Sequence, residues 1–268
     1  FIISIFNIMK KLFLIVSIVF FISCGSSESG EEIADSSESD FPSFVDSNDL
    51  RIFAKKEVSE SFLKNVGKVY DEMFQEIADP AMRNEFLSTS KNKYVYQRVG
   101  VDGMSTEGNP PKPYGDNATD YIWEMNSGGA DQIGEVIEHL LHTVSAVILY
   151  LTYADWDYKN TSSPLYLAMK EAADKGIYDI SSYDNLKGDE AYNRIITQEY
   201  AYWLILAEWD YYVVTAKKES GMTGNGEFTI GTPSEVQSKL PLGHKLYNDY
   251  IKKILTIPDK NKITALFP

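Results

Sequence analysis

Residues 130–151 read ADQIGEVIEHLLHTVSAVILYL, and the fold turns on how this stretch is read. On a helical wheel at about 100° per residue, Ile133, Val136, Ile137, Leu140, Leu141, Val144, Val147, Ile148 and Leu151 form one broad apolar stripe. Glu135, Glu138, His139 and His142 gather on the opposite side. Ala146, Leu149 and Tyr150 prolong that polar side with apolar residues, so the helix is expected to be covered on both faces. Only three histidines occur in the chain, and two of them sit here, three residues apart. Neighbours at that spacing have Cβ atoms about 5–6 Å apart, close enough for two imidazoles to share one metal ion. Glu135 precedes His139 by four residues, as Glu138 precedes His142, so either carboxylate can orient a ring or ligate beside it. Two readings stay open. The polar stripe is either a solvated, hydrogen-bonded helix face or a buried group that needs partners or a metal.

Outward from this helix, residues 50–55 read as a short strand. Residues 59–78 carry Phe62, Val66, Val69, Tyr70, Met73 and Ile77 at helical spacing, with a stop at Asp79-Pro80. Residues 93–101 alternate Tyr94, Tyr96 and Arg98 with Val95, Gln97 and Val99, which predicts a second strand. These three form a small strand–helix–strand unit, and residues 103–119 follow as a Pro- and Gly-rich loop. Downstream, Ser163-Pro164 opens a helix that ends at Lys175-Gly176. Residues 189–217 predict a long helix, apolar nearly all round from Tyr200 to Val214 and hence buried. Asn225-Gly226 predicts a tight turn, Thr232-Pro233-Ser234-Glu235 a capping-box start, and residues 243–255 a last helix. The fold class is therefore α+β and mainly helical.

The first forty residues have a different character. Met9, the expected true start, leads into Lys10-Lys11 and the apolar run from Leu12 to Ile22, a signal peptide ending at residue 23. Phe21-Ile22-Ser23-Cys24 resembles a bacterial lipobox, with Phe21 where such motifs usually carry Leu. Cys24 is the only cysteine, so no intramolecular disulfide competes with lipidation. The acidic Ser-rich stretch that follows cannot bury enough surface to offset its ordering, so residues 24–47 are expected to be a flexible tether. Residues 48–268 then make one globular domain with 18 Tyr, 13 Phe and 4 Trp in the chain to fill its core. The lipobox implies a cell-envelope protein anchored to a membrane, and Gly25 in place of aspartate favours the outer membrane of a Gram-negative cell. Net charge is −14, and loss of residues 1–23 removes two lysines and no acids, giving −16. That balance excludes nucleic acid as a partner, because binding it requires clustered Lys and Arg.

The order strand, helix, strand, then a helix bearing Glu138-His139-Leu140-Leu141-His142 resembles a zincin-like metallopeptidase core. The later Gln198-Glu199-Tyr200-Ala201-Tyr202 is similar to the glutamate-ligand helix of gluzincins and lethal-factor-like peptidases. The likeness lies in element order over about residues 50–255. Zincins read His-Glu-x-x-His with ligands four apart, whereas here the histidines are three apart and Glu138 precedes the first. The resemblance implies a zincin-like helical subdomain after the strand–helix–strand unit, and zinc held by His139, His142 and Glu199. It also implies Glu138, or else Glu135, as the group that polarises a metal-bound water, and a peptide or protein as substrate. Glu208 lies nine residues beyond Glu199, about 180° round the helix, so the two cannot face one site. For both acids a hydrogen bond to a nearby tyrosine is the plainer reading, and for His244 a surface position. Two function classes follow: a metal-dependent hydrolase of diverged zincin type, or a non-catalytic envelope binding module.

Overall fold

The structure, a computed structural model, describes residues 40–216 and 226–268. The expected signal peptide, Cys24 and most of the tether lie outside the described residues, as does Asn225. Over the described part the chain is α+β and mainly helical.

The described strands form a four-stranded sheet in the order β1-β2-β3-β4. β1 (Ser43–Ser47) and β2 (Leu50–Ala54) make an antiparallel hairpin turned by Asn48 and Asp49, both at positive φ. The tether expected up to residue 47 therefore stops short, because residues 43–47 pair with β2. β3 (Tyr96–Val101) runs parallel to β2, and β4 (Tyr121–Glu124) parallel to β3. Parallel neighbours need a crossover of a dozen or more residues. Between β2 and β3 that crossover holds two helices, α1 (Glu60–Glu72) and α2 (Pro80–Asn92), instead of the single one expected. Asp79-Pro80 is a start and not only a stop: the Asp79 carboxylate accepts from the N–H groups of Ala81 and Met82, and Pro80 needs no donor there. Between β3 and β4 the crossover is the Pro- and Gly-rich loop, whose length the parallel pairing requires. Gly100 is fixed by that pairing, since a Cβ there would come within 2.6 Å of the Trp123 ring.

Period-two alternation divides the sheet's two faces. Phe53, Tyr96 and Tyr121 join Phe41 in a small aromatic layer, which Tyr114 of the loop covers. Leu50, Ile52, Ala54 and Val99 face the main core with the helices. The central helix begins as α3 (Gly129–His142), widens to π geometry over Thr143–Leu149, and ends in the short turn α4 (Tyr150–Thr152). It is long and apolar enough to cross a bilayer, yet 78% of its apolar window is buried inside the fold, which marks it as a core helix.

α5 (Pro164–Asp174) is capped by Ser163, whose hydroxyl accepts from the N–H of Tyr166. α6 (Ala191–Glu208) packs against α3 and is buried without interruption from Tyr200 to Glu208. It stops earlier than residue 217 because Asp210 takes a positive φ and turns the chain. α7 (Pro233–Lys239) starts at the expected capping box, with Thr232 and Glu235 hydrogen-bonded at 3.1 Å. α8 (Pro241–Leu246) continues through a π turn, Tyr247–Ile251, into α9 (Lys252–Ile254), and α10 (Lys260–Leu266) follows.

Candidate metal centre

The central helix presents His139 and His142 on one side, with ring centroids 5.3 Å apart and planes at 82°. The His142 ring is almost completely buried, and the His139 side chain keeps 14% of its surface exposed. The third member of the group is Asp120, the last residue before β4. Its Oδ2 lies 2.9 Å from His142 Nδ1 and 3.7 Å from His139 Nδ1, so one carboxylate oxygen faces both rings.

Each ring turns its other nitrogen towards a glutamate. His139 Nε2 is 3.1 Å from Glu135 Oε1, and His142 Nε2 is 3.4 Å from Glu199 Oε2. The second contact has ion-pair distance without the alignment of a hydrogen bond, so His142 Nε2, like His139 Nδ1, is a buried nitrogen with no hydrogen-bond partner. Glu138 belongs with Glu199 on the Nε2 side of His142, where the three groups again come within metal-ligating reach.

The frame around these groups is polar and closely tied. Gln97 of β3 donates through Nε2 to the Asp120 carbonyl at 2.8 Å and accepts from the Thr143 hydroxyl at 2.5 Å. One buried amide thus fastens the loop end that carries Asp120 to the helical turn just after His142. Gln198 of α6 places its Nε2 at 3.0 Å from Asp120 Oδ2 and 3.1 Å from His142 Nδ1. The Trp123 N–H donates to Glu135 Oε1 at 2.9 Å and holds that carboxylate against β4.

The charges compensate one another. Burial alone would lower the His139 pKa, but the facing Asp120 and Glu135 carboxylates outweigh it and raise the ring to about 9. Burial likewise opposes protonation of His142, and the Glu199 and Asp120 carboxylates hold that ring well above its ordinary value. Burial pushes Asp120 up, while His139 and His142 bring it well below the usual carboxylate range. Glu199 is lowered in the same way by His142 against its own burial.

Several expectations change at this point. Glu199 does approach a histidine, but it reaches only His142, by Nε2, and the group facing both rings is Asp120. Glu135 is no free base, because its carboxylate is shared between the Trp123 amide and His139. Glu208 is buried and carries no tyrosine partner among its hydrogen bonds; its Oε1 lies 2.7 Å from His244 Nδ1, so His244 is a partner of a core acid. Nothing local in the sequence marks Asp120, Gln97 or Gln198, since pairing across elements alone brings them together.

Buried His, Asp and Glu groups that can hold a metal ion are thus present. Asp120 and His139 also line an open cleft of about 460 Å³, so the Asp120 side of the group is accessible from solvent. Comparisons with protein-family models, curated proteins and solved structures return no match.

Proposed function

We propose that this chain is a lipid-anchored cell-envelope protein with a zinc centre held by Asp120, His139 and His142. The observation that carries this reading is the shared orientation of the two imidazoles. Each turns Nδ1 to Asp120 and Nε2 to a glutamate, Glu135 or Glu199. Carboxylates behind metal-bound histidines fix ring orientation and raise ligand basicity. Two nitrogen donors and one carboxylate suit zinc, and a side open to a cleft is what separates catalytic from closed structural sites. Bound zinc would supply Lewis acidity and a water acidified towards neutrality. Gln198 is a candidate fourth donor, because exchanging its amide oxygen and nitrogen would turn Oε1 to the same point.

The donor set supports a diverged zincin-like hydrolase acting on a peptide or protein. Glu138, which lies within metal-ligating reach of His142 and Glu199, is the candidate base in this reading. Cys24 carries the lipid in this reading, and Gly25 favours the outer membrane if the cell is Gram-negative. The second reading, a non-catalytic envelope binding module, is favoured by the way the protonated rings and carboxylates neutralise each other without a metal. Metal analysis separates the two. Chelator-treated full chain titrated with zinc should take up one ion per chain, and His142→Ala should abolish uptake while zinc no longer raises its melting temperature. A wild-type chain that takes up no zinc removes the metal centre and leaves the binding module.

A further inference from the structure

The chain holds four arginines, and two of them border the cleft that contains Asp120 and His139. The other two have internal partners. Arg51 pairs with Asp46 at 2.7 Å, and Arg83 spends its guanidinium on the backbone carbonyls of Phe74, Glu76 and Ile254. Arg98 and Arg194 have no carboxylate within ion-pair distance among the described residues. Arg98 lies with its guanidinium 4.6 Å from the Tyr121 ring centre and donates to the Thr119 carbonyl, while its Nε is buried without a partner. Both guanidinium groups thus reach an open cleft with N–H donors not committed to any carboxylate of the described residues, which suits them to meet an anion.

A second, smaller cleft adjoins the first and shares Ala118 and Arg194 with it. Its lining is mixed: Asp116, Asn117 and Arg194 supply polar groups, Val147 and Leu151 of the central helix an apolar wall, and Tyr150 and Tyr158 two stacked rings 4.4 Å apart. Arg194 therefore stands between a cationic, metal-competent cleft and one that holds the two stacked rings.

We propose that the two clefts together bind a carboxylic acid that bears an aromatic or apolar substituent. The carboxylate sits between Arg98 and Arg194, where guanidinium groups match its two oxygens. The substituent lies against Tyr150 and Tyr158. Asp120 in one cleft and Asp116 in the other disfavour a doubly charged anion, which selects a carboxylate over a phosphate. This deepens the metal-centre reading by naming the ligand class of the same cleft, and it rests on that reading only for what a bound metal then does to the ligand.

Isothermal titration of the full chain with N-acetylphenylalanine, its uncharged amide and inorganic phosphate tests the proposal, with and without zinc. The acid should bind the metal-free chain, and the amide about ten-fold or more weaker, as expected when a charged hydrogen bond is lost. Arg194→Gln should weaken the acid by a similar factor with an unchanged melting temperature, since Arg194 makes no contact the fold needs. Arg98→Lys should also weaken it, by removing the fork and keeping the charge. Equal binding of acid and amide, tighter binding of phosphate than of the acid, or full affinity in folded Arg194→Gln overturns the proposal. A chain that binds the acid but no zinc supports this proposal and sinks the metal centre. One that binds zinc but not the acid does the opposite.

Discussion

Replacing Glu135 with glutamine separates its role behind a ligand from a role in the fold. The Glu135 carboxylate accepts from the Trp123 N–H at 2.9 Å and faces His139 Nε2 at 3.1 Å. A glutamine oxygen can still accept from Trp123, so β4 stays fastened to the central helix. What is lost is the negative charge that turns and polarises His139. Side-chain exposure is 14% for His139 and 18% for Glu135, so solvent screens this contact little. Removing a carboxylate behind a metal-bound histidine weakens metal binding by about 10–100-fold, or about 1.4–2.8 kcal/mol at about 1.4 kcal/mol per decade. The burial places Glu135→Gln in the upper half of that range. Competition of wild type and variant against a chromophoric chelator at pH 8 reads the ratio, and denaturant unfolding of the metal-free forms confirms that the fold is intact. Zinc affinity within two-fold of wild type in a folded variant would refute the account of how His139 is oriented.

Other outcomes follow from the same structure. In the metal-free chain His139 is raised to about 9 from 6.5, so its contribution to stability is complete below pH 6.5 and is lost as pH rises through 9. Melting temperature should fall across that window, and saturating zinc should flatten the fall; a metal-free chain with constant melting temperature contradicts the charge assignment. Arg83→Ala strands the carbonyls of Phe74, Glu76 and Ile254 and should cost about 3 kcal/mol or more in urea unfolding, with zinc affinity unchanged. Cys24→Ser should leave an unprocessed or soluble precursor, and intact-mass measurement of a wild-type chain with unmodified Cys24 would argue against the anchor.

The parts of the fold legible in the sequence are those with strong, local patterns. The central helix, α5 with its Ser163-Pro164 start and the Thr232 capping box all advertise themselves through periodicity or cap chemistry. The elements that escaped lack such signals. β4 has only four residues at the end of a long loop, and β1 lies beside a Ser- and Asp-rich run and leaves Phe44 half exposed at a sheet edge. α2 buries only Arg83, Phe86 and Ser90, so it shows almost no apolar stripe, and its Asp79-Pro80 start has the composition of a stop. The site divides in the same way. His139, His142, Glu135 and Glu138 share one helix and are visible as a stripe, whereas Asp120 is placed by parallel pairing of β3 with β4.

The spacing of the histidines explains why the partner facing both rings comes from the sheet and not from the neighbouring helix. Residues three apart are offset by about 60° around a helix, so two rings at that spacing diverge sideways as well as along the axis. Here they meet edge to face, and each keeps Nδ1 on the side of β4. Glu199, on α6, packs from another direction and meets only the more buried ring, at Nε2. A carboxylate facing both Nδ1 atoms must come from the β4 side, at the residue where the chain enters the sheet. That residue is Asp120, and its backbone is fixed by Gln97, which also accepts from Thr143 next to His142. Thr143→Val should therefore loosen the site without touching any ligand. It leaves the buried Gln97 oxygen unpaired at a cost of about 1–3 kcal/mol, and it should lower zinc affinity while Thr143→Ser restores it. If Thr143→Val binds zinc as wild type does, the link between Gln97 and the placement of Asp120 is wrong.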